Sequence, residues 1–387
     1  MANEAGHATV LLEGAGPYEA VLFHRGGVTV DVYYPTRPDE GLHARTTNDL
    51  GRSWSEPRVL RDGRGEHIRG RHQSVLRLPS GRLALIHGAP PSPRVHRDYP
   101  TMIRYSDDEG QTWSDGRYLH PDPAVMRQGT ARVLASGRLL VPVFTWVGPL
   151  AGEESEANGR SVCFSWAFYS DDEGETWRRS ESELLVMTPN YNALGVYDFE
   201  EPCVEELKDG RVLMHGRTRL GRHYQSISTD GGVTWSTPTP TPLAASYTPP
   251  HLSRIPTTGD LLVIWNQASV EEIWGCLHRH RLSCAVSSDD GETWRHYRNL
   301  ESLDDTVRVD PPPWGVYDPE AIGREYGYRQ PREAGRYRHA PGVLRVCYPN
   351  VAFVEDQALV VYDYGMGTRP TNDTRLRVLP IGWFYGG

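Results

Sequence analysis

SDDEGETW, residues 170 to 177, is one of five near-copies of a single spelling; the others are TTNDLGRSW (46 to 54), SDDEGQTW (106 to 113), STDGGVTW (228 to 235) and SSDDGETW (287 to 294). Each reads S/T-x-D-x-G-x-S/T-W. Such a segment makes a tight hairpin turn: the Asp and Ser/Thr side chains bond nearby amides, the glycine takes a positive φ, and the tryptophan packs under the turn. The motif is therefore structural. Its tryptophans, Trp54, Trp113, Trp177, Trp235 and Trp294, follow one another at intervals of 59, 64, 58 and 59 residues. That is the length of a four-stranded blade with its connections.

The sequence on either side of the boxes agrees. Before them lie alternating, β-branched and aromatic runs such as PTMIRYS, CFSWAFYS and RLSCAVSS; after them come hairpins such as SVLRLPSGRLALIHG and CVEELKDGRVLMHG, with SG and DG as turn pairs. A box-free stretch, VCYPNVAFVEDQALVVYDYG, supplies one more blade. The expectation is an all-β, six-bladed β-propeller with four-stranded antiparallel blades and Asp-box turns, forming one domain over 1–387. The terminal segments ATVLLEG and TRLRVLPIGWFYGG are expected to pair within one blade and so close the ring. The Pro-rich pieces APPSPRVHRDYP, TPTPTPL and DPPPWGVYDPE read as loops over the ends of the barrel, where propellers bind ligands.

Composition narrows the function classes. Hydrophobic residues are 38% and charged residues 24% of the chain, and the 11 Trp and 20 Tyr suit sugar faces as well as cores. The net charge of −9 comes with no long basic run, which argues against nucleic acid. The five cysteines (Cys163, Cys203, Cys276, Cys284, Cys347) show no CxxC spacing and read as small buried apolar residues. His72, His215, His251 and His339 read as loop or core residues, and no metal site or cofactor is expected. The opening MANEAGHATVLLEG lacks a basic region followed by an apolar run, and no stretch of 18 apolar residues occurs. A soluble protein away from membranes is expected, cytoplasmic as the chain stands or secreted if a leader was removed.

Repeated SxDxGxTW boxes at blade spacing resemble the sialidase superfamily, over nearly the whole chain. The resemblance implies a site that holds a carboxylate sugar with three arginines, since the planar guanidinium fork matches a carboxylate. The family's first arginine opens a strand R-I-P-A-L-x-x-x-P-x-G; the run RHQSVLRLPSG (71 to 81) gives Arg71, with His72 and Gln73 in place of Ile and Pro. Its glutamate and second arginine correspond to Glu201 and Arg217 in EEPCVEELKDGRVLMHGR, and its third arginine to Arg279, with Arg281 as rival, in HRHRLSCAVSSDDG. The nucleophilic tyrosine corresponds to Tyr348, opening the late strand. A neutral phenol suits an anomeric carbon whose carboxylate repels an anion, and Glu201 would take its proton. The acid/base aspartate corresponds to Asp98, the sole carboxylate of its loop, with His96 as substitute. Tyr224 stands as a further substrate contact, and Trp265, Trp274, Trp314 and Tyr317 as stacking candidates, with core packing the alternative for each.

Three functions compete. The first is a retaining exo-glycosidase removing a terminal acidic sugar from a glycan. The second is a polysaccharide lyase of the same fold acting on a uronic acid, in which the arginines stabilise an enolate and His72 and Tyr348 move protons. The third is a non-catalytic sugar-binding propeller, which has no use for Glu201 or Tyr348.

Overall fold

The computed structural model describes residues 8–13, 20–36, 41–89, 100–122, 124–147, 162–190, 193–312, 343–366 and 373–387. Strand β1 (Thr9–Leu12) comes first and its partners come last in the chain. Blade I holds β2 (Val21–Gly26), β3 (Thr29–Pro35), β4 (Leu42–Thr47) and β5 (Arg58–Val59); blade II holds β6 (Arg71–Arg77), β7 (Leu83–Gly88), β8 (Thr101–Ser106) and β9 (Arg117–Tyr118). In blade III the inner strand is split into β10 (Val125–Met126) and β11 (Arg132–Val133), both paired with β12 (Leu139–Val147), which is followed by β13 (Val162–Ser170) and β14 (Arg178–Arg179). A separate hairpin, β15 (Val186–Asn190) and β16 (Ala193–Tyr197), precedes blade IV: β17 (Glu200–Glu206), β18 (Val212–Arg217), β19 (Arg222–Ser228) and β20 (Thr239–Ala244). Blade V comprises β21 (His251–Arg254), β22 (Leu261–Trp265), β23 (Arg281–Ser287) and β24 (Arg295–Ser302), with helix α1 (Val270–Trp274) between its second and third strands. Blade VI runs β25 (Leu344–Val354), β26 (Gln357–Met366) and β27 (Asp373–Pro380), with β1 as its outermost strand. The fold is a six-bladed β-propeller, as the repeat implies.

Each Asp box joins the third strand of a blade to the fourth. In the third box, Ser170 Oγ donates to Asp172 Oδ1 at 2.8 Å and accepts from Gly174 N at 2.8 Å, while Asp172 accepts from the Thr176 amide at 2.8 Å and its hydroxyl at 2.5 Å. Blade VI needs no box because its third and fourth strands come from opposite regions of the chain; Thr9 pairs with Leu376 and Val10 with Arg375. That closure removes a sheet edge that would otherwise be open to aggregation. One loop expectation is corrected: most of TPTPTPL (237 to 243) belongs to the outer strand β20, Thr239–Ala244. An edge strand tolerates proline because its outward side needs no donor.

Apolar side chains from facing blades fill the seams. Ile86 and Phe168 belong to the seam of blades II and III, Met214 and Phe199 to that of III and IV, Val263 and Cys203 to that of IV and V, and Val346 and Ile264 to that of V and VI. The box tryptophans join these seams; Trp113 is 1% exposed. The innermost strands are left to line the axis. Their starts lie together at one end, which is where the sequence-derived site residues fall.

Candidate active site

Three inner strands, β6, β17 and β25, share one irregularity. Their pairing slips between Arg71 and Ser74, between Glu200 and Cys203, and between Cys347 and Asn350. At each slip a non-glycine residue takes a left-handed conformation: His72 at φ 55°, Glu201 at φ 44° and Tyr348 at φ 53°. Such a conformation costs about 1 to 3 kcal/mol per residue and persists only where the surroundings over-determine it. A bulge also re-aims its side chain, and here it turns three polar groups toward the axis. The three blades concerned, II, IV and VI, alternate around the ring.

The bulges bring residues far apart in sequence into contact. Tyr348 Oη donates to Glu201 Oε1 at 3.2 Å. Arg217 Nη1 meets Glu201 Oε2 at 2.8 Å, and its Nη2 donates to Glu200 Oε1. The Arg217 guanidinium also lies over the Tyr247 ring, 4.1 Å from its centroid, with Arg219 at 5.4 Å. Arg219 is paired with Asp198 at 2.6 Å. Arg279 sits 5.2 Å from the centroid of the Tyr348 ring and donates to Cys347 Sγ at 3.0 Å. Its carbonyl accepts from Val346 N at 2.8 Å, so the loop before β23 is tied to the strand that carries Tyr348.

Charge and burial set the protonation states. Burial, reinforced by the Glu201 charge and opposed by Arg279 and Arg217, raises the Tyr348 pKa, so the phenol is neutral at neutral pH. Burial also pushes the Glu200 carboxyl up, against the pull of Arg217, with the charges of Glu201 and Asp198 adding to it. Burial and the adjacent Arg71 push His72 down to about 3, against the pull of Glu201, leaving a neutral imidazole beside two cations, Arg71 and Arg127.

Arg71, His72, Glu201, Arg217, Arg279 and Tyr348 are thus brought to one end of the axis. Of the two rival arginines, Arg279 belongs to this group and Arg281 does not. Arg281 is fully buried, donating to Glu272 Oε1 at 2.8 Å and to both Asp304 oxygens at 2.8 Å. Glu272, His280 and Asp304 lie close enough together to share a cation, but the Arg281 guanidinium already donates to both carboxylates. Tyr224 packs with Phe199 and Leu220 in the seam of blades III and IV, because its place on β19 points it between sheets. Trp265 is core as well, its Nε1 donating to Ala244 O at 2.7 Å. Trp274 ends α1, while Asp98, His96, Trp314 and Tyr317 lie outside the described residues.

Two participants were missed in the sequence. Glu200, not singled out beside Glu201 in the sequence, is 1% exposed and paired with Arg217. Arg127, 1% exposed, donates through Nη1 to Pro250 O and through Nη2 to Pro349 O at 3.3 Å. A usable signal existed: the ten-residue offset from Arg71 to the hairpin Gly81 recurs from Arg127 to Gly137 and from Glu200 to Gly210.

The family model described as BNR repeat-like domain matches residues 37–356. The chain belongs to the BNR-repeat, sialidase superfamily. This BNR-repeat protein is 27% identical over 218 residues to a sialidase of Paraclostridium sordellii, a match covering 50% of this chain and 49% of that one. The chain spans between 17% and 51% of the length of the curated relatives it matches. Among solved structures it is similar to Trypanosoma rangeli sialidase in complex with 2,3-difluorosialic acid as a covalent intermediate, at TM-score 0.58 and 15% identity, covering 98% of this chain and 60% of that one. It is also similar to a leech intramolecular trans-sialidase complexed with 2,7-anhydro-Neu5Ac, at TM-score 0.59 and 14% identity, covering 100% of this chain and 71% of that one. At such identities the structural likeness carries the fold. No described helix of this BNR-repeat protein is long and apolar enough to cross a membrane.

Proposed function

We propose that this protein is a retaining exo-glycosidase that removes a terminal carboxylate-bearing sugar, sialic acid or a close relative, from a glycan. The observation that carries the reading is the Tyr348–Glu201 hydrogen bond, 3.2 Å long and made across the axis between two strained bulges. A neutral tyrosine is a weak nucleophile that needs an adjacent base, and Glu201 is that base. Tyr348 Oη bonds to the anomeric carbon as Glu201 takes the phenolic proton, and the bond to the aglycone oxygen breaks, with a proton supplied to that oxygen. Water then attacks the same carbon, giving up one proton to the group that protonated the aglycone, while the tyrosine oxygen leaves and Glu201 returns its proton to it. Arg71, Arg217 and Arg279 provide the positive field that holds the sugar carboxylate and balances charge as it develops. The acid that protonates the leaving oxygen is not assigned among the described residues; Asp98 remains its candidate.

Incubation with a fluorogenic sialoside is the direct test. Tyr348→Phe and Glu201→Gln should each lower kcat by at least about a hundredfold. Full hydrolytic rate in Glu201→Gln sinks the assignment.

A second reading, elimination from a uronate, draws support from His72, held neutral and left-handed beside Arg71. Its signature is a new ultraviolet absorbance from an unsaturated product on a glucuronate polysaccharide, lost in His72→Ala, with no fluorescence from the sialoside.

A further inference from the structure

We propose that Arg127 is a positioning residue for Tyr348 and Glu201: its buried guanidinium ties together the inner strands bearing His251 and Tyr348, while the turn it sits in holds the strand bearing His72 through the Gly129 amide. The inference rests on the hydrolase reading above for its kinetic consequences, though its structural part stands independently.

Arg127 lies in the turn that divides the inner strand of blade III, between β10 and β11. Thr130 Oγ1 donates to its carbonyl at 2.7 Å and closes that turn. From there the contacts reach three other blades. Nη1 donates to the carbonyl of Pro250, immediately before His251 on blade V; Nη2 donates at 3.3 Å to the carbonyl of Pro349, immediately after Tyr348 on blade VI. The amide of Gly129 donates at 3.0 Å to the carbonyl of Gln73, immediately after His72 on blade II. Two of the three left-handed residues therefore have the very next carbonyl fixed by this one turn. Pro349 O belongs to the peptide one residue beyond Tyr348, and its hydrogen bond pins the bulged segment on that side, which helps hold the nucleophile in a conformation that the free chain avoids.

The charge of Arg127 is also unusual. Among the described residues it contacts carbonyl oxygens and no carboxylate, and its Nε has no partner. The negative or ionisable groups whose fields reach it include Cys203, Glu201 and Tyr348. A buried cation without a contacting anion is costly. Here its field favours any negative charge that develops on Tyr348 Oη.

Charge and tether can be separated with two variants. Arg127→Gln removes the charge and keeps one donor. Arg127→Lys keeps the charge but not the planar fork that reaches two carbonyls. The kcat and KM on a fluorogenic sialoside and hydrogen–deuterium exchange over residues 346–351 are measured for both. In Arg127→Gln, which loses both charge and fork, kcat should fall about tenfold or more, with KM changing less. In Arg127→Lys kcat should recover part of that loss, and exchange over 346–351 should quicken in both. A folded Arg127→Gln protein with wild-type kcat and exchange overturns the proposal. Should the wild type turn over no sialoside, the hydrolase reading fails by itself and exchange alone judges Arg127: unchanged protection in both variants overturns it.

Discussion

Arg279 and Arg281 stand two residues apart and are used differently. Arg281 is sealed under α1 by Glu272 and Asp304, whereas Arg279 lies against the Tyr348 ring. Arg281→Met should therefore leave Glu272 and Asp304 uncompensated and lower unfolding stability by about 3 kcal/mol. Arg279→Met should leave the denaturation midpoint near wild type while kcat/KM falls about ten- to a hundredfold, the worth of one charge-assisted hydrogen bond. Denaturant titration and steady-state kinetics of both variants check this, and the reverse pattern would reassign the pair. At this scale the sequence was informative where spacing was fixed by a hairpin. Glu201 and Arg217 flank the DG turn of blade IV, so their approach could be anticipated; Tyr348, expected to open its strand, is instead the fifth residue of β25, at its bulge. Tyr224 could not be placed, because only the register of β19 decides whether a side chain faces the seam. Glu200 was hidden by its own neighbours: a run of acidic residues looks solvated until a bulge turns one member inward to Arg217.

The Asp box and the inner-strand bulge are the two recurring elements, and each uses left-handed backbone for a different end. In the box, consecutive residues such as Leu50 (φ 59°) and Gly51 (φ 82°) make the turn, and a Cβ on Gly51 would come within 2.5 Å of Leu376 Cδ2 on the closing blade. Gly51→Ala should thus cost more than strain alone, about 2 to 4 kcal/mol, while Gly27→Ala, with φ 55° and open space around it, should cost about 1 kcal/mol. Melting curves of the two variants decide; equal shifts would mean that contact with blade VI is irrelevant. The boxes were fully legible because side-chain chemistry writes the turn directly into the sequence. The bulges were not, since nothing local marks His72, Glu201 or Tyr348 as left-handed; three strands must converge before the strain is offset. TPTPTPL misled for a related reason: proline is admitted at a sheet edge, and also at bulges, where Pro202 and Pro349 sit in β17 and β25.

For the whole molecule, the buried histidines dominate the response to acid. Burial pushes His72 and His223 down to about 3 and His87, His215 and His278 to about 4, and holds His251 well below its ordinary value. Each is neutral when folded and takes up a proton near pH 6.5 when unfolded. Their contribution is complete above about pH 6.5 and declines as pH falls from there toward the folded values. The box aspartates Asp108, Asp172 and Asp289, held near 2 against burial by their turn hydrogen bonds, add a further loss only below about pH 4. The denaturation midpoint should therefore drop between pH 7.5 and pH 5, the six rings outweighing Glu200, whose raised carboxyl adds stability as pH falls; an unchanged midpoint would mean that these rings are not buried neutral. The six-bladed ring itself was readable from five boxes and a remainder, and the pairing of its ends followed from the need to cover a sheet edge.

That pairing has a consequence in time. Blade VI carries Tyr348, and it is also the blade whose last strand, β1, is made first and whose other strands are made last. As a chain leaves the ribosome, Thr9 to Leu12 must remain unmatched until Leu376 has been synthesised. Closing so long a loop is slow, and it comes after the local hairpins have formed. Blades I to V can zip up in order during translation, but the tyrosine acquires its finished surroundings only when the ring snaps shut. Turnover would then appear after synthesis rather than during it, and its onset would serve as a clock for the final folding step.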